Sequence, residues 1–427
     1  MKKTITPKNK FNATITVPGD KSISHRAVMF GSLAVGDTVI KGFLNGDDCL
    51  STVGCFKAMG IDIEMDDEKV VVHGKGLKGL NAPSSTLDVG NSGTTLRLMS
   101  GILSAQNFTS TVTGDSSIQK RPMDRVAKPL SLMGADIKSS SPDKTLAPVT
   151  ITGKKLKGIE YTLPVASAQV KSAILLAGLY AEGETVVIEP EATRDHTEIM
   201  LNFMGADIKK DGDRIICHPV QELYAKEITV PGDISSAAYF MVAAAASKNA
   251  CVTIKNVGIN PTRTGIITAL ESMGADITIS DYRLLNGEPV GDITVKSSPL
   301  KATVIEGDII PKLIDEIPVI AVAAAMAEGT TIIKDAQELK VKESNRIKTT
   351  AEELSKFGVD IKETDDGLII NGPTNFKGGS VIETYNDHRI AMSAAIAALL
   401  SDSVTVINGS ECVDISFPTF YKLLEEL

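Results

Sequence analysis

The chain has 427 residues, of which 43% are hydrophobic and 23% charged, enough apolar content to bury more than one core and too much for a disordered polymer. With 44 Lys and Arg against 53 Asp and Glu, its formal charge of −9 argues against general affinity for nucleic acid or anionic membrane and leaves any anionic ligand to a local basic cluster. Trp is absent and aromatics are 4%, so platforms for stacking bases are poor, and five cysteines without a C-x-x-C pair suit a reducing cytoplasm better than a disulfide framework.

In chain order, Met1-Lys2-Lys3 is followed by polar residues and Pro7 where a signal peptide needs an apolar core, so a cytoplasmic location is expected. The phrase Ile15-Thr16-Val17-Pro18-Gly19-Asp20 recurs half a chain later as Ile228-Thr229-Val230-Pro231-Gly232-Asp233. A second phrase appears five times: Met59-Gly60-Ile61-Asp62-Ile63, Met133-Gly134-Ala135-Asp136-Ile137, Met204-Gly205-Ala206-Asp207-Ile208, Met273-Gly274-Ala275-Asp276-Ile277 and Phe357-Gly358-Val359-Asp360-Ile361. Apolar residues at i, i+4 and i+7, as in Val126/Leu130/Met133, Ile266/Leu270/Met273 and Ile347/Ala351/Leu354, predict an amphipathic helix before the glycine, which then stops it in a left-handed conformation. Alternating sequence around Asp66-Asp67, Asp211-Gly212-Asp213 and Asp365-Asp366-Gly367 predicts a β-hairpin after it.

A second helix type, small and apolar, ends each time in a β-branched strand near Thr38, Thr111, Thr185, Thr253, Thr331 and Thr405. Its Ala-rich members, Ala321 to Ala327 and Ala391 to Ala398, have no polar face and must be surrounded by other elements. The run from Ile317 to Ala327 is bracketed by Glu316 and Glu328 and falls short of the roughly 20 residues that span a bilayer, so no membrane span is expected. The prediction is an α/β chain of six units, three per half. The first domain covers 21–226 and the second 1–20 plus 227–427, with hinges near 18–21 and 230–234 and a cleft between the halves for small molecules.

Charged residues gather at the predicted helix starts. Lys21-Ser22-Ile23-Ser24-His25-Arg26 opens a helix whose first-turn amides could converge on an oxyanion, or it is a solvated helix start. A Walker A loop fails there, because Gly does not precede Lys21 and the earlier Gly is missing. Asn91-Ser92-Gly93-Thr94-Thr95, before Arg97, reads equally as a phosphate or carboxylate cradle and as a capping turn. Arg121-Pro122-Met123-Asp124-Arg125 offers two guanidiniums for an anion, or an ion pair with Asp124. Ser167-Ala168-Gln169-Val170-Lys171 and Thr193-Arg194-Asp195-His196-Thr197-Glu198 offer donors or caps, and Asp315-Glu316 would ordinarily be dipole partners of the helix that follows. Lys342-Glu343-Ser344-Asn345-Arg346 and Asn386-Asp387-His388-Arg389 complete the set. Singly each is an exposed charged turn; together, in an acidic chain, they suggest a polyanionic substrate. The five histidines show no metal-site spacing.

In order and spacing, the segments 19–26, 90–97, 120–125, 342–346 and 386–389 resemble the 5-enolpyruvylshikimate-3-phosphate synthase family over essentially the whole chain, and 167–171 and 193–198 resemble its class II branch. The resemblance implies the two-domain enolpyruvyl transferase fold, an inside-out α/β barrel with three βαβαββ repeats per domain. It implies transfer of the enolpyruvyl group of phosphoenolpyruvate to the 5-hydroxyl of shikimate 3-phosphate with release of phosphate. By matching position, Lys21, Ser22, Arg26, Ser167, Ala168, Gln169, Arg194, Asp315 and Lys342 would hold shikimate 3-phosphate. Lys21, Gly93, Thr94, Arg121, Gln169, Arg346 and Arg389 would hold phosphoenolpyruvate. Catalysis would fall to Asp315 at the 5-hydroxyl, Glu343 at the enolpyruvyl methylene and Lys21, with His388 a secondary player and no metal or organic cofactor.

The family also implies competition by glyphosate beside Gly93, a monomer, no nucleic-acid or membrane partner, and closure of the halves on shikimate 3-phosphate, a compaction that small-angle scattering would register. Two positions depart from the family. Ile415 stands where many relatives carry Lys, which removes one phosphate contact, and Glu338 replaces a substrate-contacting Asn of the class I branch. The sister transferase acting on UDP-N-acetylglucosamine has Lys-Asn in place of Lys21-Ser22 and a Cys in its mobile loop, which the stretch from Asp115 to Pro122 lacks. A non-catalytic sugar-phosphate binder would have no need of both Asp315 and Glu343.

Overall fold

A computed structural model describes every residue except Asn9, Ser140 and Pro142. The chain divides into two compact units, one of Met1–Pro18, Pro231–Leu284 and Pro289–Leu427, the other of Gly19–Val230 with Leu285–Glu288. Each has its own core of buried aliphatic side chains.

Among the described residues the strands form six sheets, three per unit, and five share one order. In each, a short edge strand runs parallel to a central strand, which pairs antiparallel with the second strand of a hairpin. The sheet 304–305, 329–333, 368–372 and 360–363 is one example, and 87–88, 109–113, 149–152 and 136–139 is another. The central strands are the β-branched ones around Thr38, Thr111, Thr185, Thr253, Thr331 and Thr405. A parallel pair needs a crossover, and where the two strands follow one another in the chain that crossover is an apolar helix.

Where the chain enters or leaves a unit, distant segments complete the pattern. Glu227–Thr229 supplies the parallel partner of Val39, Ile40 and Lys41, because Gly19 leads directly into a helix with no strand before it. In the other unit Lys10–Thr16 pairs parallel with Asn249–Gly258, and Lys2–Ile5 closes the sixth sheet antiparallel to Thr405–Asn408 in place of a hairpin.

Six apolar helices lead into the central strands: Lys21–Leu33, Gly93–Leu103 and Ala168–Gly178 in one unit, Ile234–Ala246, Ile317–Met326 and His388–Leu399 in the other; four of them are crossovers, while Lys21–Leu33 and Ile234–Ala246 stand where the chain enters each unit. Every residue of Ile234–Ala246 is buried, as the absence of a polar face requires. The glycines of the repeated phrase, Gly60, Gly134, Gly205, Gly274 and Gly358, all have φ between 84° and 105°, a region closed to most side chains. Gly101 serves a different need: a Cβ there would lie 2.2 Å from the Ala173 carbonyl oxygen of the neighbouring helix. Because that obstacle is backbone, Gly101→Ala is expected to cost about 1–3 kcal/mol, read as a lower urea midpoint. An unchanged midpoint would mean that the two helices have room to separate.

Candidate active site

The residues singled out from the sequence lie at the amino ends of helices, both the apolar ones and Asp124–Leu132, His196–Phe203 and Arg346–Ser355. In the Gly19–Val230 unit, Asp20 caps Lys21–Leu33 by accepting from the Ile23 amide at 2.9 Å, and the Lys21 ammonium forms an ion pair with buried Asp48. One turn on, Arg26 is 3% exposed. Its Nε donates to Thr197 Oγ1 at 2.8 Å, Nη1 to the Ser22 carbonyl at 2.9 Å and Nη2 to Ser172 Oγ at 3.0 Å. These acceptors are neutral. Burial therefore pulls Arg26 down to about 10, against the pull of Glu198 and Asp20 and with the help of Arg194. His25 is held well below its ordinary value by burial, Lys21 and Arg26. Its Nδ1 starts a chain of hydroxyls through Thr52, Thr95 and Ser92, each step 2.7 Å, that ties this helix to the next.

Ser92 caps Gly93–Leu103 through the Thr95 amide, and Ser167 caps Ala168–Gly178 through the Val170 amide. Both turns are thus caps, and capping leaves other first-turn amides free to face an anion. Gln169 bridges the two helices, accepting from Arg97 Nη1 at 2.5 Å and donating to Thr94 Oγ1 at 3.0 Å. Arg121 donates to Asn91 Oδ1 at 3.0 Å and Ser117 Oγ at 3.2 Å, and its Nη1 would be 3.3 Å from a Cβ on Gly93. Lys21, Ser22, Arg26, Gly93, Thr94, Arg121, Ser167, Ala168, Gln169 and Arg194 all belong to this unit.

In the other unit the basic groups are met by carboxylates. Asp315 Oδ1 accepts from Lys342 Nζ and Arg346 Nη1, both at 3.3 Å. Arg346 is 2% exposed; its Nη2 donates to Glu343 Oε2 at 2.5 Å and its Nε to Asp387 Oδ2 at 2.8 Å. Asp387 also accepts from Ser344 Oγ and from the backbone amide of Arg389. Arg389 lies 3.9 Å from Glu316, whose other partner is the Ser235 hydroxyl. Burial would lower Arg346 and Arg389, but for Arg346 the carboxylates of Asp387, Glu343 and Asp315 outweigh it, and for Arg389 Tyr239, Asp315 and Glu316 do so; both rise above their ordinary range. Burial pushes Tyr239 up to about 12, with Arg389 opposing.

Sequence reasoning missed Asp48, Ser172 and Arg263, and it saw Thr197 and Ser235 only as residues of helix starts. Arg263 donates to Asp233 Oδ1 at 3.1 Å and Ser235 Oγ at 2.8 Å, supplying the cation that the start of Ile234–Ala246 lacks. Ile415 packs against the core, as its apolar side chain dictates. Asp62, Glu64 and His73 bring their ligand atoms within 4.8 Å of one another on paired strands, a grouping with no spacing signal in the sequence. The His73 ring is held by Asp37 at 2.8 Å.

The arrangement can bind oxyanions in one unit and, in the other, set two carboxylates beside arginines. A solved enolpyruvyl transferase NikO from Streptomyces tendae shares the architecture at a TM-score of 0.81, covering 99% of this chain and 96% of that one at 18% identity, so the fold is that of an enolpyruvyl transferase. An EPSP synthase structure from Acinetobacter baumannii aligns at a TM-score of 0.89 and 51% identity over 100% of this chain and 98% of that one. The family model for EPSP synthase (3-phosphoshikimate 1-carboxyvinyltransferase) matches residues 5–424. The 3-phosphoshikimate 1-carboxyvinyltransferase of Thermoanaerobacter sp. (strain X514) is 56% identical over 420 residues, 98% of each chain. That of Bacillus thuringiensis subsp. konkukian is 56% identical over 426 residues, covering 100% of this chain and 99% of its own. The chain belongs to the EPSP synthase family. Among the described residues no helix is long and apolar enough to cross a membrane.

Proposed function

We propose that the protein transfers the enolpyruvyl group of phosphoenolpyruvate to the 5-hydroxyl of shikimate 3-phosphate and releases phosphate, a step of the shikimate pathway to aromatic amino acids. The observation that carries this reading is Arg26, a buried guanidinium whose hydrogen-bond acceptors are two hydroxyls and a carbonyl. A charge kept out of water without a counter-charge in contact is costly, and an incoming phosphate offsets that cost. In this account Ser22, Arg26, Ser167, Ala168, Gln169 and Arg194 hold shikimate 3-phosphate with Lys342 at its hydroxyls. Lys21, Gly93, Thr94, Arg121, Gln169, Arg346 and Arg389 hold phosphoenolpyruvate. The two compact units serve as the two domains, and the stretches near 18–21 and 230–234 serve as the hinges.

The chemistry is addition followed by elimination. Asp315 takes the proton of the 5-hydroxyl as its oxygen bonds to C2 of phosphoenolpyruvate, while Glu343 delivers a proton to C3 and turns the methylene into a methyl. The Glu343 carboxylate then removes a methyl proton, the double bond re-forms, and the C2–O bond to phosphate breaks with the electron pair leaving on phosphate. Glu343 is paired with Arg346, so phosphoenolpyruvate taking up Arg346 loosens that pair and frees Glu343 for proton transfer. Arginines and first-turn amides steady the charge throughout.

Phosphate release on mixing the two substrates tests the reading. Release with UDP-N-acetylglucosamine and not with shikimate 3-phosphate would assign the sister reaction, and binding without release would assign a non-catalytic role. The same reading has the chain act as a monomer in the cytoplasm, and sedimentation at the mass of one chain checks the first part. It also makes glyphosate a competitor of phosphoenolpyruvate beside Gly93. A methyl there would lie 2.9 Å from Arg97 Nη1 and 3.3 Å from Arg121 Nη1, both flexible ends that can give way. Gly93→Ala is therefore expected to weaken glyphosate by roughly tenfold or more while the KM for phosphoenolpyruvate rises less; equal losses contradict the steric argument.

A further inference from the structure

One buried charge in the Gly19–Val230 unit has no part in the chemistry above. Lys171 lies two residues beyond Gln169 and is fully buried, with its ammonium 2.8 Å from Glu189 Oε1 and 2.6 Å from Glu198 Oε1. Both carboxylates are buried as well. Glu189 accepts in addition from the Thr193 amide at 3.2 Å and from the Thr193 hydroxyl. Three separate pieces of chain thus meet on one ammonium: the helix Ala168–Gly178, the residue that follows strand Thr185–Ile188, and the first turn of helix His196–Phe203.

Each piece carries part of the binding set. The first begins with Ala168 and Gln169, the second leads through Thr193 to Arg194, and the third presents Thr197. Beside the triad, the Ser172 and Thr197 hydroxyls share a hydrogen bond of 2.6 Å, and both accept from Arg26. Ser172 and Thr197 are the sequence neighbours of Lys171 and Glu198, so the ion bridge fixes the spacing of the two hydroxyls that aim the guanidinium. Burial opposes the ammonium, but Glu198 and Glu189 outweigh it and hold Lys171 above its ordinary range; burial pushes Glu198 up, with Lys171 opposing. A buried ion triad is a poor stabilising device, because desolvation cancels most of the attraction and apolar side chains of similar volume often do as well. What it supplies is a fixed geometry.

Resting on the reading that this unit binds shikimate 3-phosphate, we propose that Lys171, bridging Glu189 and Glu198, is a positioning residue that sets Arg26 and Arg194 in register for that ligand. The wild type, Lys171→Met and Glu198→Ala are compared by steady-state kinetics and by calorimetric titration with shikimate 3-phosphate, well below each melting temperature. Both variants are expected to raise the KM and Kd for shikimate 3-phosphate roughly tenfold or more, with the KM for phosphoenolpyruvate changed less than about twofold. Glu198→Ala leaves a neutral Lys171–Glu189 pair and decides the matter alone should Lys171→Met not fold. A lower melting temperature with unchanged affinity for shikimate 3-phosphate, or equal rises in both KM values, overturns the proposal. A wild type that releases no phosphate from the two substrates overturns instead the reading beneath it.

Discussion

Arg26→Met is expected to bind shikimate 3-phosphate more weakly by about 2–5 kcal/mol, roughly thirty- to several-thousand-fold, and yet to melt no lower than the wild type. The two halves of that expectation have one cause. The guanidinium is 3% exposed, and its hydrogen bonds go to neutral oxygens. Burial pulls its pKa down to about 10, below the ordinary guanidinium range. A base whose folded value lies below its unfolded value binds fewer protons folded than unfolded between the two. Stability therefore rises as pH climbs through about 10 towards the ordinary guanidinium range, and at neutral pH the charge is a liability to the fold. Methionine fills similar space without that liability and without the ligand contact, a trade of stability against function. Calorimetric titration and a thermal melt check both halves. A fall of several degrees with affinity intact would make Arg26 a structural residue.

The second large effect belongs to the carboxylates. Glu343→Gln and Asp315→Asn keep shape and hydrogen-bonding capacity but can no longer accept a proton, so each is expected to lower kcat by about 10²- to 10⁴-fold with little change in either KM. Asp315 accepts from Lys342 and Arg346, and Glu343 from Arg346, so the amides lose ion pairs as well; a melt of each variant separates that loss from the kinetic one. Steady-state phosphate release is the readout. A Glu343→Gln enzyme keeping a tenth or more of wild-type kcat would remove Glu343 from proton transfer.

How much of this was legible in the sequence follows from how each feature is encoded. The five Met-Gly-Ala-Asp-like phrases announce a helix stop and a hairpin because a left-handed residue and an alternating run are local properties, and Gly60, Gly134, Gly205, Gly274 and Gly358 all take positive φ. The Ala-rich segments announce enclosure because nothing in them tolerates water, and Ile234–Ala246 is buried throughout. Edge strands of two residues, Leu87–Asp88 and Val304–Ile305, leave no periodic trace. Of the site, the basic residues at helix starts were visible, whereas their partners were not. Asp48 beneath Lys21, Ser172 and Thr197 around Arg26, and Asp387 behind Arg346 are single side chains delivered by tertiary packing from 27 to 171 positions away. The tip Leu285–Glu288 belongs with the Gly19–Val230 unit, where Glu288 meets His196 at 2.7 Å, and nothing local in that hairpin foretells it.

Turnover in deuterium oxide reports most directly on addition followed by elimination at Glu343. Protonation of C3 from a carboxyl that has exchanged with solvent makes a CH2D methyl, and loss of one of its two protium atoms, favoured by number and by the isotope effect, leaves deuterium in the methylene of most of the enolpyruvyl product. Mass spectrometry of the product is expected to show that label in the wild type. Product formed at the normal rate with an unlabelled methylene would mean that no proton passes through carbon, and the account would be wrong at its centre.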